Sequence, residues 1–184
     1  MYSTQENVPR MYCTPKIHKE ETALQPTVDC TGSIGYNTSR ALSDILALML
    51  GKAEFHVKNS TDIANFLKDF KVEDNEILVS HDVDSLFTNS PIHDTLEYIR
   101  ERLEKDTTLK LRTNLAISDI IELLRFICKT TYFMFNGTVM QQKFGMMMGS
   151  PVLAIASNFY MEKLERDAFR NCSSRVQAQV VVEI

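Results

Sequence analysis

Asp82 and Asp84 stand two residues apart, behind the apolar run Ile77-Leu78-Val79 and ahead of Ser85-Leu86-Phe87-Thr88-Asn89-Ser90-Pro91. Two carboxylates delivered at the end of a short buried strand have a fixed direction, and hard oxygen ligands of this kind suit a divalent cation such as Mg²⁺. The plainer reading is that Asp82 and Asp84 open the turn into the next helix, where Asp is common. Both readings stand on these residues alone.

The elements that must hold the two carboxylates are partly legible from periodicity. The first 35 residues are rich in Pro, Thr and Gly and show no helical period, which predicts loops and irregular strands. Leu42, Ile45, Leu46, Met49 and Leu50 repeat at three and four residues and stop at Gly51, so the spacing predicts a helix over 38–50. Thr61 is positioned to cap a shorter helix whose buried stripe is Ile63, Phe66, Leu67 and Phe70. Ser90 as N-cap and Pro91 at the first helical position open another, with Leu96, Ile99 and Leu103 inward. Ser118 opens a further helix with Ile120, Ile121, Leu124 and Ile127 on its apolar face. Tyr132–Phe135, Asn136-Gly137 and Thr138–Met140 read as a hairpin, because Asn-Gly suits the positive φ angles of a type I′ turn. Gly145–Gly149 reads as a flexible, Met-rich loop, and Pro151 begins a final helix through about residue 170. The fold class is α+β, a short antiparallel sheet packed by helices.

Composition limits the function classes. The formal charge of −4 argues against a protein that grips phosphates over a broad face, although Arg10, Lys16, His18 and Lys19 make one local basic stretch. Cys13, Cys30, Cys128 and Cys172 are scattered, without a C-x-x-C pair or a histidine at ligand spacing, so reduced structural thiols are expected. No run approaches the roughly 18 apolar residues that span a bilayer, and residues 1–10 lack the apolar centre of a signal peptide. The expectation is a nuclear or cytoplasmic protein, neither secreted nor in the membrane, with no protein partner readable.

A strand followed by D-x-D resembles the first motif of haloacid-dehalogenase phosphatases, in which the first Asp is the nucleophile. That family would also need a later Lys and an acidic pair on parallel strands, and the residues after Asp84 offer a hairpin and no such pair. A longer ordered set points elsewhere: Pro15-Lys16-Ile17-His18-Lys19, Leu24-Gln25-Pro26-Thr27, Asp82-Val83-Asp84-Ser85-Leu86-Phe87, Phe135-Asn136-Gly137, Met148-Gly149-Ser150-Pro151 and Asn158-Phe159-Tyr160-Met161-Glu162. Together they resemble the reverse transcriptases of Penelope-like retroelements over about residues 9–165. The resemblance implies a partial right-hand polymerase fold: a fingers-like region over 1–75, a partial palm over 76–165 and a divergent tail over 166–184.

The resemblance also implies roles. Asp82 is the catalytic, metal-binding carboxylate for Mg²⁺ or Mn²⁺, with Asp84 outside the ligand set. Phe87 lies under the sugar of an incoming dNTP, and Gly149 lets backbone approach the nucleotide. Lys16 and Gln25 face the nucleotide and Lys19 and Asn158 the template and primer, the partners being dNTPs and a primed RNA or DNA template. In this family an Arg normally occupies the position of Gln25, where it clamps the triphosphate. Leu153-Ala154 likewise replaces a Ser-Pro pair. The family's Tyr-x-Asp-Asp hairpin has no counterpart, and the chain ends in Gln179-Val180-Val181-Val182-Glu183-Ile184. A truncated or frameshifted copy with little polymerase activity is therefore expected, the alternative being a non-catalytic remnant that binds nucleic acid.

Overall fold

A computed structural model describes residues 7–17, 24–52, 59–74, 77, 83 and 85–171. Asp82, Asp84, Lys19, most of the apolar run 77–79 and the tail beyond 171 lie outside the described residues. Ile77, the one described member of that run, is 83% exposed and not in a strand.

The N-terminal segment forms a two-stranded ribbon. Strand β1 (Arg10–Pro15) pairs antiparallel with β2 (Leu24–Asp29), Arg10 opposite Asp29 and Pro15 opposite Leu24. The hairpin of β3 (Tyr132–Phe135) and β4 (Thr138–Gln141) turns at Asn136 and Gly137, whose φ angles of 48° and 76° are those the Asn-Gly pair favours. The expected all-antiparallel sheet is corrected at one junction. β1 joins β3 in parallel at Arg10 and Met134, with the Met134 N–H donating to the Pro9 carbonyl at 2.7 Å, and the mixed sheet runs β2-β1-β3-β4. The helices between the two ribbons supply the long crossover that a parallel pair needs.

Helix α1 (Tyr36–Ala47) buries Leu42 and Leu46. It ends three residues short of the expected limit, because Met49 and Leu50 bond back to Leu46 and Ala47 in a tightened last turn before Gly51. Helix α2 (Ser60–Asp69) is capped by Asn59, whose side chain accepts from the Asp62 N–H at 3.0 Å, in place of Thr61. Its expected buried stripe is also corrected: Phe66 and Leu67 are more than 40% exposed, and the Phe66 ring lies 5.5 Å from that of Phe70 in the same stripe. Amphipathic spacing states which face is apolar and not whether anything covers it.

The short helix α3 (Leu86–Asn89) precedes α4 (Ile92–Glu104). Ser90 caps the end of α3 by donating to the Leu86 carbonyl at 2.7 Å, so the start of α4 moves one residue on from the expected one. Leu96, Ile99 and Leu103 face inward as their spacing predicts. Helix α5 (Ile117–Lys129) opens one residue before Ser118, where the Asp119 carboxylate accepts from the Ala116 N–H, and Ile120, Ile121, Leu124 and Ile127 are buried. Helix α6 (Pro151–Asn171) packs against α1 and α4, and α4 against α5. One core joins Leu42, Ile99, Ile120, Leu153 and Phe159 with Val28 of the sheet, so residues on both sides of position 75 share it. The coarse α+β class is shown. Cys13, Cys30 and Cys128 are free thiols, and among the described residues no helix is long and apolar enough to cross a membrane.

Three helices meet at a partly buried ion pair. Arg102 of α4 donates to Glu162 of α6 at 2.8 Å, to the Met49 carbonyl at the end of α1 at 2.9 Å and to the Tyr98 hydroxyl at 3.1 Å. Glu162 in turn accepts from the Gly51 N–H. Glu165, one turn on, is pushed up to about 7 by burial and by the Glu162 charge. After α4, Asp106 is held down to about 2: burial opposes this, but bonds from Thr108 and an ion pair with Arg112 outweigh it.

These groups set the pH response. The Glu165 carboxyl binds its proton more tightly folded than unfolded, so its contribution is present below pH 4.5 and is lost as pH rises through 7. Asp106 contributes above 3.8 and loses its contribution as pH falls toward 2. The melting temperature should therefore rise from pH 8 to pH 5 and fall below about pH 4. Glu165→Gln should flatten the upper limb only; an unchanged upper limb assigns it elsewhere. In urea melts, Phe159→Ala should cost about 3–5 kcal/mol and Phe66→Ala under about 1 kcal/mol, since only the first leaves a cavity.

Candidate nucleotide-binding turn

Gly149 has φ +107° and is solvent-exposed, and a Cβ there would overlap the Val28 carbonyl oxygen. The Val28 N–H donates to the Met148 carbonyl at 3.0 Å, which lays the Met148–Gly149 turn along the free edge of β2. On that edge Pro26 points its missing N–H outward, where no ladder bond is lost. Four residues earlier Gly145 has φ +68°, and a Cβ there would overlap the carbonyls of Phe87 and Thr88. The Met146 N–H donates to the Phe87 carbonyl at 2.6 Å. The segment expected to be a flexible loop is thus fastened at both ends, to α3 by Gly145–Met146 and to β2 by Met148–Gly149. Met146 and Met147 between them are buried in the core, and Met148 is half-buried.

The structure brings Phe87, Gly149 and the β2 strand that carries Gln25 to one segment. Phe87 is half-buried, with its backbone pinned. Gln25 sits opposite Thr14, three residues before Val28 and about 10 Å along the strand from the Gly149 contact. Lys16 follows the end of β1 at the same end of the ribbon, partly exposed. No hydrogen bond or ion pair joins Lys16 or Gln25 to Phe87 among the described residues. Asn158, on α6, has its Oδ1 buried without a hydrogen-bond partner, a cost of about 1–3 kcal/mol that an unfilled acceptor carries. Asp82 and Lys19 lie outside the described residues, and among the described residues no group of three or more His, Cys, Asp or Glu side chains could hold a metal ion.

Two features escaped the sequence reading. Gly145 was not distinguished from its neighbours, although a glycine just before a buried Met pair is a signal of close backbone approach. Ser39 and Ser150 form a buried hydroxyl pair at 2.9 Å, and Ser39 Oγ also accepts from the Val152 N–H, which ties the starts of α1 and α6 together. No local pattern announces a pairing across so much sequence. No protein-family model matches this chain, and no curated protein matches it.

Gly145→Ala and Gly149→Ala should each destabilise the fold by about 2 kcal/mol or more, since both combine a left-handed backbone with a backbone overlap. Gly137→Ala, in the hairpin turn with open space around it, should cost only about 1 kcal/mol. Equal losses at all three in denaturant melts would contradict the close approaches.

Proposed function

We propose that these residues correspond to the fingers and front palm of an RNA-directed DNA polymerase of retroelement type, with the Met148–Gly149 turn as its nucleotide-facing backbone. One observation carries the reading. Three stretches matched by the resemblance, around Gln25, Phe87 and Gly149, lie far apart in sequence, yet the 145–149 segment holds backbone contacts to both of the others. A nucleotide site built from these stretches needs that convergence.

Within this reading Gly149 offers exposed backbone to a nucleotide, and the Phe87 ring lies under its sugar. Lys16 and Lys19 supply charge to phosphates, a role that asks only for a positive group on a flexible stem. Gln25 cannot supply the charge of the Arg it replaces, which weakens the triphosphate grip. Asn158 is given to template or primer by the resemblance, and with its Oδ1 buried it would act by positioning α6 rather than by direct contact. Asp82 is the one ligand the reading names for Mg²⁺ or Mn²⁺, and it lies outside the described residues. No Tyr-x-Asp-Asp segment occurs in the 184 residues. The 184 residues alone therefore bind more readily than they polymerise.

Fluorescence anisotropy with a primed RNA–DNA duplex tests this. Binding should weaken with salt, and Lys16→Ala with Lys19→Ala should lower both the affinity and the salt slope, the latter by about 2. Gln25→Arg should tighten dNTP binding, and primer extension with Mg²⁺ or Mn²⁺ should stay near background. Absence of duplex binding at low salt would sink the proposal, and robust synthesis would overturn its account of the missing carboxylates.

A further inference from the structure

A pocket of about 490 Å³ opens between the segment before β1, the starts of α1 and α6, the end of α5 and the β3–β4 hairpin. None of the roles above uses it. Its apolar walls come from Val8, Ile34, Phe126, Tyr132, Val139 and Met147, and among the described residues no lining side chain is Asp, Glu, Lys, Arg or His. The volume lies within the range of small-molecule sites, and such sites combine apolar walls with a few fixed polar groups.

The nearly buried polar groups here are Ser39 and Ser150, 2% and 4% exposed, whereas Asn7, Ser33 and Thr130 line the pocket from half-buried or exposed positions. Their hydroxyl oxygens are 2.9 Å apart, and Ser39 Oγ accepts from the Val152 N–H. Two hydroxyls carry two protons, and one lies between them whichever Ser donates. The other proton has no acceptor among the described residues, so a nearly buried pair that lines the pocket retains one unspent donor. The pocket is also lined by Gly35 and Tyr36 at the start of α1 and by Pro151 at the start of α6, the positive ends of helices of 12 and 21 residues. An unspent donor between two helix N-termini favours a negatively charged acceptor, and the aromatic and aliphatic walls favour a flat apolar body.

We propose that this pocket binds a small aromatic monocarboxylate, its ring held between the apolar walls and its carboxylate accepting a hydrogen bond from the spare hydroxyl donor of the Ser39–Ser150 pair. The inference stands apart from the polymerase reading: Ser150 and Pro151 lie in one stretch of the resemblance, but that reading gives neither of them a role.

The probe is 2-naphthoate, titrated into methyl-labelled protein and followed by NMR. Saturable shifts should appear at Val8, Ile127, Val139 and Met147 and be absent at Leu103 and Met161, which lie in the helical core. A cationic naphthyl-trimethylammonium analogue should bind at least about tenfold more weakly. Ser39→Ala and Ser150→Ala each leave one hydroxyl, so either single variant should keep the preference for acid over cation. The double variant should lose about tenfold in naphthoate affinity while its affinity for the cation is unchanged. Val139→Trp, at a strand position 59% exposed, narrows the mouth without touching the core and should weaken both probes even if the double variant fails to fold. Shifts spread evenly over all methyl groups, no saturation by about 1 mM, or protection of the pocket methyls by self-association of the chain would each overturn the proposal.

Discussion

The sheet and the helices are held to each other by a contact that admits no side chain. At Gly149 the backbone lies so close to Val28 that even a methyl group would displace one of them, and α6 starts two residues later. The position of β2 thereby fixes where the longest helix enters the core, and α6 then sets α1 and α4 against it. Glycine is required here by geometry, since both a positive φ and a backbone approach must be met at one residue. Because that backbone is also exposed, the constraint that assembles the fold leaves peptide groups facing solvent beside an edge strand.

At the other end of the helical layer the organising contact is ionic. Arg102 reaches Glu162, the Met49 carbonyl and the Tyr98 hydroxyl, and its guanidinium lies about 6 Å from the Phe159 ring. A partly buried ion pair is often no better than a well-packed apolar group of its size, yet losing one partner strands the other. Here Arg102 also closes an orphan carbonyl at the end of α1, and Glu162 takes up the Gly51 N–H there. The pair is thus a joint between three helices, and the charge it places next to Glu165 is part of what makes that carboxyl hard to ionise.

What was legible in the sequence was local. The β3–β4 hairpin followed from Asn136-Gly137, the inward faces of α4 and α5 from their spacing, and the start of α6 from Pro151. What escaped depended on partners remote in sequence. The parallel junction of β1 with β3, the Ser39–Ser150 pair and the Arg102 joint have no signature within a short window. The stripe of α2 shows the opposite failure, a correct apolar pattern with no cover among the described residues. For the candidate site, glycine at 149 was readable as a backbone requirement, whereas the matching requirement at Gly145 became evident only with the Phe87 and Thr88 carbonyls beside it.

The parallel joint between Arg10 and Met134 carries a kinetic consequence. Hairpin β3–β4 and the helix pair α4–α5 close over short loops and can form early, whereas the β1–β2 ribbon finds its partner strand only after the intervening chain has been gathered in, an entropic cost that precedes any reward. A ribbon that docks last through few bonds is also the first to come away while the helical core stays intact. In the polymerase reading, the ribbon that carries Gln25, with Lys16 just past the end of β1, would then belong to the least protected cooperative unit of the molecule, and order in that unit would be gained together with a ligand.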